Sequence, residues 1–453
     1  MLIEAVQQAI YRSKVYFLKS QHPSGYWMGE LESNATITAE YLFFRRLLDC
    51  CDPIREQEIA AELLANQKDG GWALYFDGPP ELNTTIEAAV ALNISGLSWD
   101  HPSLQEAIDV VHSLGGLERA RVFTRIWLAL LGAIPRNTLP SMPPEMILLP
   151  RWFALNIYRF ASWARSTIVP LLIQLNLPNN YHGFIPKVDC LYCGSDYHPL
   201  TLRLTPNWRT AFLLLDRFLK LGDVPLRSAR WRGKAVMAVR NWLLDHQEAD
   251  GGWGGIIPAM TNSTLALYLL DGYCQQVERG IRAVEGFGIK TPGRFRLQSC
   301  ISPGWDTPWV ILALRASGLP PEHEALRRAV EWLAKQQCLR VSDWSLGAPG
   351  VPPGGWAFEF HNEHYPDTDD TALVLQALQE LNHPVPFSEK RGLEWLLGMQ
   401  NPDGGWGAFD RCNNTPWPRF IPFCDFGEVL DPSSADVTAH ILETLTKYGF
   451  SQD

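Results

Sequence analysis

The sequence predicts an all-α protein built from two α/α barrel (toroid) domains. Three observations carry this: a recurring Gln-to-Trp repeat, helical apolar spacing around each copy, and no sustained period-two alternation. The repeat reads Gln, a short polar stretch, Gly, one residue, Trp. It occurs as Gln21–Trp27, Gln67–Trp72, Gln247–Trp253 and Gln400–Trp406, with a degraded copy lacking the Gly expected from Gln337 to Trp344. Before the last copy, Leu393, Leu396, Leu397 and Gln400 fall at three- and four-residue spacing, which puts them on one helical face. After Asp370, Ala372, Leu375, Leu378 and Leu381 do the same. The glycines end each helix because they tolerate left-handed backbone. Tandem helix–turn–helix units of this kind point to α/α solenoids closed into barrels. Gln side chains can bond the exposed backbone at a helix end and Trp can cover the turn, so these residues are expected to be scaffold.

The Gly/Pro/polar stretch from Leu177 to Asn207 interrupts the pattern, and a second change falls near Lys290 to Ser299. The expected division is one barrel from residues 21–296 and another, bearing the acid motif, from 1–20 with 297–453. At 453 residues the chain exceeds what one ordinary core supports, which agrees with two domains.

The net charge of −10 and the absence of a polybasic run argue against nucleic acid and against electrostatic membrane attachment. The N-terminus has no apolar signal core, and Ser166 to Pro186 is broken by Gln174, Asn176, Pro170 and Pro178, so neither export nor a spanning helix is expected. Nine Cys without secretory features read as reduced thiols. Cys190 and Cys193 form a lone CxxC without a second pair, so no metal is expected there. Eighteen Trp, 20 Phe and 13 Tyr supply packing area and π faces that attract cations.

The sharpest local signal is Asp367-Thr368-Asp369-Asp370, followed by a helical run from Thr371. Three carboxylates this close repel, so at least one keeps its proton near neutral pH. A helix N-terminus favours the ionised members, and a neutral acid beside them makes a proton donor. Surface capping acids are the plain alternative. A calcium loop fails because Thr371 and Ala372 stand where oxygen ligands and Gly are needed. A phosphotransferase would need an apolar strand before Asp367, where the chain is polar and aromatic. The diphosphate-binding motif of ionising terpene synthases wants acids at other spacings.

The Gln-to-Trp repeats and Asp-x-Asp-Asp-Thr-Ala, together with GYWMGELESNATITAEY, WALYFDGPPELNTTIEA, RVFTRIWLALLG, LNIYRFASWAR, SPGWDT and IPFCDFGEVLDPSSADVTAH, resemble the squalene–hopene cyclase family. The likeness spans nearly the whole chain and is weakest between Leu177 and Asn207. It implies that Asp369 protonates a terminal alkene, that Asp367 and Asp370 tune it, and that His440 hydrogen-bonds it, with Trp305 and Asp306 nearby. It also implies an aromatic lining of Trp163, Phe358, Phe409, Phe423 and Phe426, whose faces stabilise carbocations. The polar end where the last proton leaves maps to Glu40, Glu87, Arg121 and Trp127, each of which could instead be a buried structural group. No cofactor or metal is implied. The substrate is squalene or a similar polyprene, the product hopene or hopanol, and the place a peripheral, monotopic one on the cytoplasmic face of the inner membrane. Residues 208–221, an amphipathic stretch, are the expected membrane contact, with core packing as the alternative.

The chain departs from the family at three points. Phe409 stands where the family usually has Tyr, and Ile257 where it has a polar Gln. The chain also stops soon after the helix containing His440, so the resemblance implies a catalytic barrel incomplete at its C-terminal side. A fragment, a homodimer, a complementing C-terminal chain and a non-catalytic subunit are the readings this raises. A cyclase for another polyprene is the rival within the enzyme class, and a zinc protein-prenyltransferase barrel is disfavoured by the lack of a clear ligand set.

Overall fold

Helix starts fall where the sequence supplies a side-chain acceptor or a proline. In the computed structural model, which describes residues 1–153, 155–178, 181–194, 208–220, 229–381, 386–421 and 427–449, sixteen α-helices are found. Asn34, Asp52, Glu81 and Asp367 each accept a backbone N–H of the first turn, an interaction that contributes about 1 kcal/mol to a helix. Prolines open several others at positions whose N–H would be unpaired in any case.

The helices are α1 (Leu2–Ser20), α2 (Ala35–Leu47), α3 (Pro53–Ala65), α4 (Leu82–Ile94), α5 (Pro102–Ser113), α6 (Val122–Leu130), α7 (Ser162–Gln174) and α8 (Trp208–Lys220). They continue as α9 (Ala229–Asp245), α10 (Ile257–Asp271), α11 (Gln275–Glu285), α12 (Pro303–Ala316), α13 (Glu324–Lys335), α14 (Thr368–Glu380), α15 (Pro386–Gly398) and α16 (Ala435–Lys447). Between α11 and α12 lies one antiparallel hairpin, β1 (Gly288–Thr291) and β2 (Arg294–Leu297). Strands of only four residues are too short to show period-two alternation, so no strand signal marks this hairpin.

The chain divides into two compact units. The acid-bearing unit comprises residues 1–31, 300–415 and 430–453; the larger unit comprises 32–299 and 416–429. Helices alternate in character. Within α4, α10 and α14 most residues are buried, while α5 and α13 are buried along one face. In the acid-bearing unit α14 packs between α12 and α16. Ala372, Leu375, Leu378 and Leu381 all lie in its core, as the spacing predicts. On α15 the core-facing residues are Trp395 and Leu396, whereas Leu397, expected on that face, is 47% exposed.

The repeats are hydrogen-bonded ties between successive helices. Gln21, Gln67 and Gln247 each donate to the carbonyl of their own repeat Gly (Gly25, Gly70, Gly251) and to a first-turn carbonyl of a second helix (Ala325, Ser103, Gln276) at 2.7–3.0 Å. Each repeat Trp donates its indole N–H back to the helix before it: Trp27 to Phe17, Trp72 to Leu63, Trp253 to Leu243 and Trp406 to Leu396. The fifth copy differs from its sequence reading. Gln337 donates to Gly354 and Ser388, and the indole that returns to Leu333 is that of Trp356, so Trp356 replaces Trp344 as the repeat residue. Gln337 and Gly354 are 17 residues apart, an insertion that defeats a search at fixed spacing. Trp344 is a buried core ring set edge-on to Trp395.

Candidate active site

The acid motif opens α14, three residues before the expected start. Asp367 is the cap: its Oδ1 accepts from the N–H of Asp369 (2.7 Å) and Asp370 (3.3 Å). Its own N–H donates to Trp356 O, which locks the cap to the repeat turn. Thr371 reinforces this by donating its hydroxyl to Asp367 O while accepting the Trp356 N–H. Thr368 is tied outward, donating its N–H to Ala408 O and its hydroxyl to Gly407 O.

The three carboxyls are unequal. Asp367 and Asp370 are 8% and 1% exposed, while the Asp369 side chain is 20% exposed. Asp369 Oδ1 lies 2.5 Å from Nδ1 of His440, presented by α16. Burial, then the charge of Asp369, pushes Asp367 up to about 8. Burial drives Asp370 well above the usual carboxylate range, with Asp367, Asp369 and Asp306 adding to it. The set therefore holds protons that separate carboxyls would have released.

Trp305 and Asp306 stand beside this group. The Trp305 and His440 rings are 6.3 Å apart. Asp306 Oδ2 accepts from the Ser302 hydroxyl and the Gly29 N–H, both at 2.8 Å. Gly304, in the same SPGW segment, leaves no room for a side chain: a Cβ there would sit 2.0 Å from Ala357 O. Its N–H donates to Phe358 O, so the absent side chain brings the Phe358 backbone onto α12. Phe358 and Phe409 are both partly buried.

Two acids that sequence reasoning missed support the site. Asp431 is buried and accepts the N–H groups of Ala408, Phe409 and Asp410 at 2.7–2.8 Å, fixing the turn that carries Phe409. Burial and the neighbouring Asp410 push it up to about 6. Asp431 joins that turn across more than 20 residues, so no local pattern marks it. Asp436 lies one turn before His440 on α16, and the two charges interact; that four-residue spacing was readable.

The larger unit holds the remaining predicted residues. Glu40 and Glu87 are buried and hydrogen-bonded to each other, with Trp127 also bonded to Glu40. Glu87 accepts from Thr124 and lies 3.6 Å from Arg121 Nη2. Burial raises Glu40 well above its ordinary value, and Glu87 is raised by burial against the opposing Arg121. Trp163 donates its indole N–H to Glu428 O at 3.0 Å. Ile257 is wholly buried at the start of α10. Phe423, Phe426 and Leu221 lie outside the described residues.

The same unit contains an apolar cavity of about 370 Å³, bounded by α6, α7, α8 and the 141–153 segment. Phe123, Ile126, Met146, Phe160, Leu171 and Phe212 are among its walls. No helix among the described residues is long and apolar enough to cross a membrane.

Tandem α/α repeats carrying a proton-holding acid group at a helix N-terminus define the class: a helical terpene cyclase of the kind that starts by acid. The chain belongs to the squalene–hopene cyclase family. The squalene-hopene cyclase N-terminal domain matches residues 10–292 and the C-terminal domain residues 301–453. It is 42% identical to the squalene–hopene cyclase of Alicyclobacillus acidocaldarius over 99% of this chain and 72% of that one. It is 36% identical to the enzyme of the same name from Zymomonas mobilis (99% and 71%), and 40% identical to a squalene hopane cyclase of Aspergillus fumigatus (93% and 59%). Abietadiene synthase from Abies grandis aligns over 90% of this chain and 43% of its own at a TM-score of 0.41 and 14% identity, too distant to bear on the fold.

Proposed function

We propose that this chain is a triterpene cyclase that protonates squalene through Asp369 and drives its polycyclisation to hopene and hopanol. The observation that carries the reading is the unequal burial of the acid triad. Asp367 and Asp370 are enclosed and hold protons, and Asp369 is the member exposed to a ligand and paired to an imidazole. The carboxyl O–H of Asp369 breaks as a C–H bond forms at the terminal alkene carbon. The electron pair stays on the carboxylate, where the His440 Nδ1–H receives it as a preformed hydrogen bond. A carboxylic acid is weak against a hydrocarbon, so a dry site and a prearranged conjugate base must supply the difference. The cation then advances along the folded polyene past aromatic faces such as Phe358 and Phe409, which hold charge without bonding to it. A final proton passes to water at the Glu40–Glu87–Arg121 group, where two glutamates sharing protons can take it up.

The membrane supplies the substrate. Phe153 and Trp231 are exposed members of the cavity's lining, and Trp152, Leu214 and Phe218 are exposed on the same segments that bound it. This rim supports a monotopic attachment at α8, with the cavity taking the hydrocarbon; the cytoplasmic face of the inner membrane is the proposed location. A homodimer is proposed as the assembly.

The test is incubation of the purified chain with squalene in detergent, beside Asp369→Asn, with products separated by gas chromatography–mass spectrometry. Pentacyclic product from the wild type and none from the variant is expected. No product from a folded wild-type chain contradicts the proposal.

A further inference from the structure

Apolar packing holds two helices together without choosing how far one slides along the other, because it has no direction. A buried polar contact does choose, since a slide leaves its members without partners. The acid and its imidazole stand on different helices, Asp369 on α14 and His440 on α16, so their 2.5 Å contact depends on that choice. The buried residues of α16 are Val437, Ile441 and Thr444. Two of these are apolar; Thr444 is the polar member, wholly enclosed one turn beyond His440.

Thr444 joins α16 to α14. Its hydroxyl lies 2.8 Å from the carbonyl of His440 and 3.1 Å from that of Ala372, and it accepts the side-chain N–H of Gln376 at 2.9 Å. Gln376 is also buried, and the same Nε2 reaches the His440 carbonyl at 3.5 Å. On its other side Gln376 Oε1 accepts from Lys447 Nζ at 2.8 Å, and Tyr448 donates to Leu375 O at 3.0 Å. Ala372 follows Asp369 by one turn, and Thr444 follows His440 by one turn. The two helices therefore run side by side in one direction, with the acid and imidazole on the first turn and the threonine on the second. A slide of α16 by one turn, about 5.4 Å, carries the imidazole away from Asp369 and strips the partners from Thr444 and Gln376. Apolar residues at both positions would fill the same space and leave the slide open.

We propose that Thr444 and Gln376 are positioning residues for the protonation step: they set the register of α16 on α14 and so hold His440 Nδ1 on Asp369 Oδ1. They act through the backbone of His440, whose carbonyl both side chains approach. The inference rests on the proposed roles of Asp369 and His440. Thr446 is a matched comparison on the same helix. Its hydroxyl also donates to the carbonyl four residues back, Leu442 O at 2.8 Å, but from the exposed face.

Isotope-edited NMR of the full chain, labelled at histidine and held in detergent, reads this contact without turnover. The Nδ1 proton of His440 should resonate downfield of the other imidazoles and is assigned by its loss in His440→Gln. Thr444→Val keeps the side-chain volume and should abolish that resonance, lower turnover about tenfold and leave KM unchanged. Gln376→Leu, on the other helix, should do the same and carries the test independently. Thr444→Ser should restore both readouts, and Thr446→Val should change neither. Circular dichroism checks that each chain is folded. A downfield proton unmoved in folded Thr444→Val and Gln376→Leu overturns the proposal, as does its absence from the wild type or an equal loss in Thr446→Val. Turnover surviving in Asp369→Asn overturns the catalytic reading and with it the functional half of this one, while the resonance still decides the register.

Discussion

In the acid-bearing unit Asp367, Asp369 and Asp370 stand at the start of α14, whereas in the larger unit Glu40 and Glu87 project from the middle of α2 and α4. Each group contains buried acids that keep protons, Asp367 and Asp370 in one and Glu40 and Glu87 in the other, and the cause is the same: carboxyls removed from water and set against one another. Their surroundings differ. The aspartates receive backbone N–H bonds at a helix terminus and direct one member outward to an imidazole. The glutamates face each other, with a threonine hydroxyl and a guanidinium on one side. A helix terminus organises an outward acid of fixed direction; a mid-helix pair makes an enclosed proton store.

Substitutions should separate these roles, and the largest effect belongs to Asp369. Asp369→Asn keeps the shape and removes the transferable proton, so turnover should fall by about 10³-fold or more. A variant retaining a tenth of the activity would erase the distinction. His440→Ala should cost about 10²-fold in turnover with little change in substrate affinity, because it removes the partner of the conjugate base and no wall of the site.

The proton content of each cluster can be read from stability against pH. Asp367 titrates at about 8 when folded and near 3.8 when unfolded, so the folded state holds a proton across that window that the unfolded chain has lost. Stability therefore declines as pH rises from 3.8 towards 8. Asp367→Asn keeps the cap and abolishes this titration. Its melting temperature relative to wild type should be higher above pH 8 than below pH 4. Glu87→Gln should flatten the decline in the same direction, since the folded-state value of Glu87 is raised, while changing turnover by less than about tenfold. Equal slopes for wild type and variants would show that neither cluster stores protons.

The smallest effect concerns the scaffold. Trp356→Phe removes the indole bond to Leu333 and should cost about 1 kcal/mol in urea unfolding, more than Trp344→Phe, which lacks that bond. The reverse order would restore Trp344 as the repeat residue.

These sites were legible to different degrees for physical reasons. The helices of the acid-bearing unit follow a local period, so Ala372 to Leu381 could be placed in the core directly. The triad and His440 were legible because each lies in a short, distinctive segment, although their 2.5 Å contact is a matter of how α14 and α16 pack. Asp431 was not, because its three partners are main-chain groups of a turn more than 20 residues away. Leu397 shows the limit of periodicity: it shares a stripe with Leu396 by spacing, yet α15 turns its packed side towards Trp395. Trp356 was hidden by an insertion, since hydrogen bonding respects space and not spacing.

The most direct test of proton donation to an alkene is cyclisation of squalene in heavy water, with the product mass read by mass spectrometry. The carboxyl of Asp369 exchanges with solvent, so the account predicts one carbon-bound deuteron in every cyclised molecule, and no product from Asp369→Asn. Unlabelled product from the wild type, or labelled product undiminished in the variant, would contradict it.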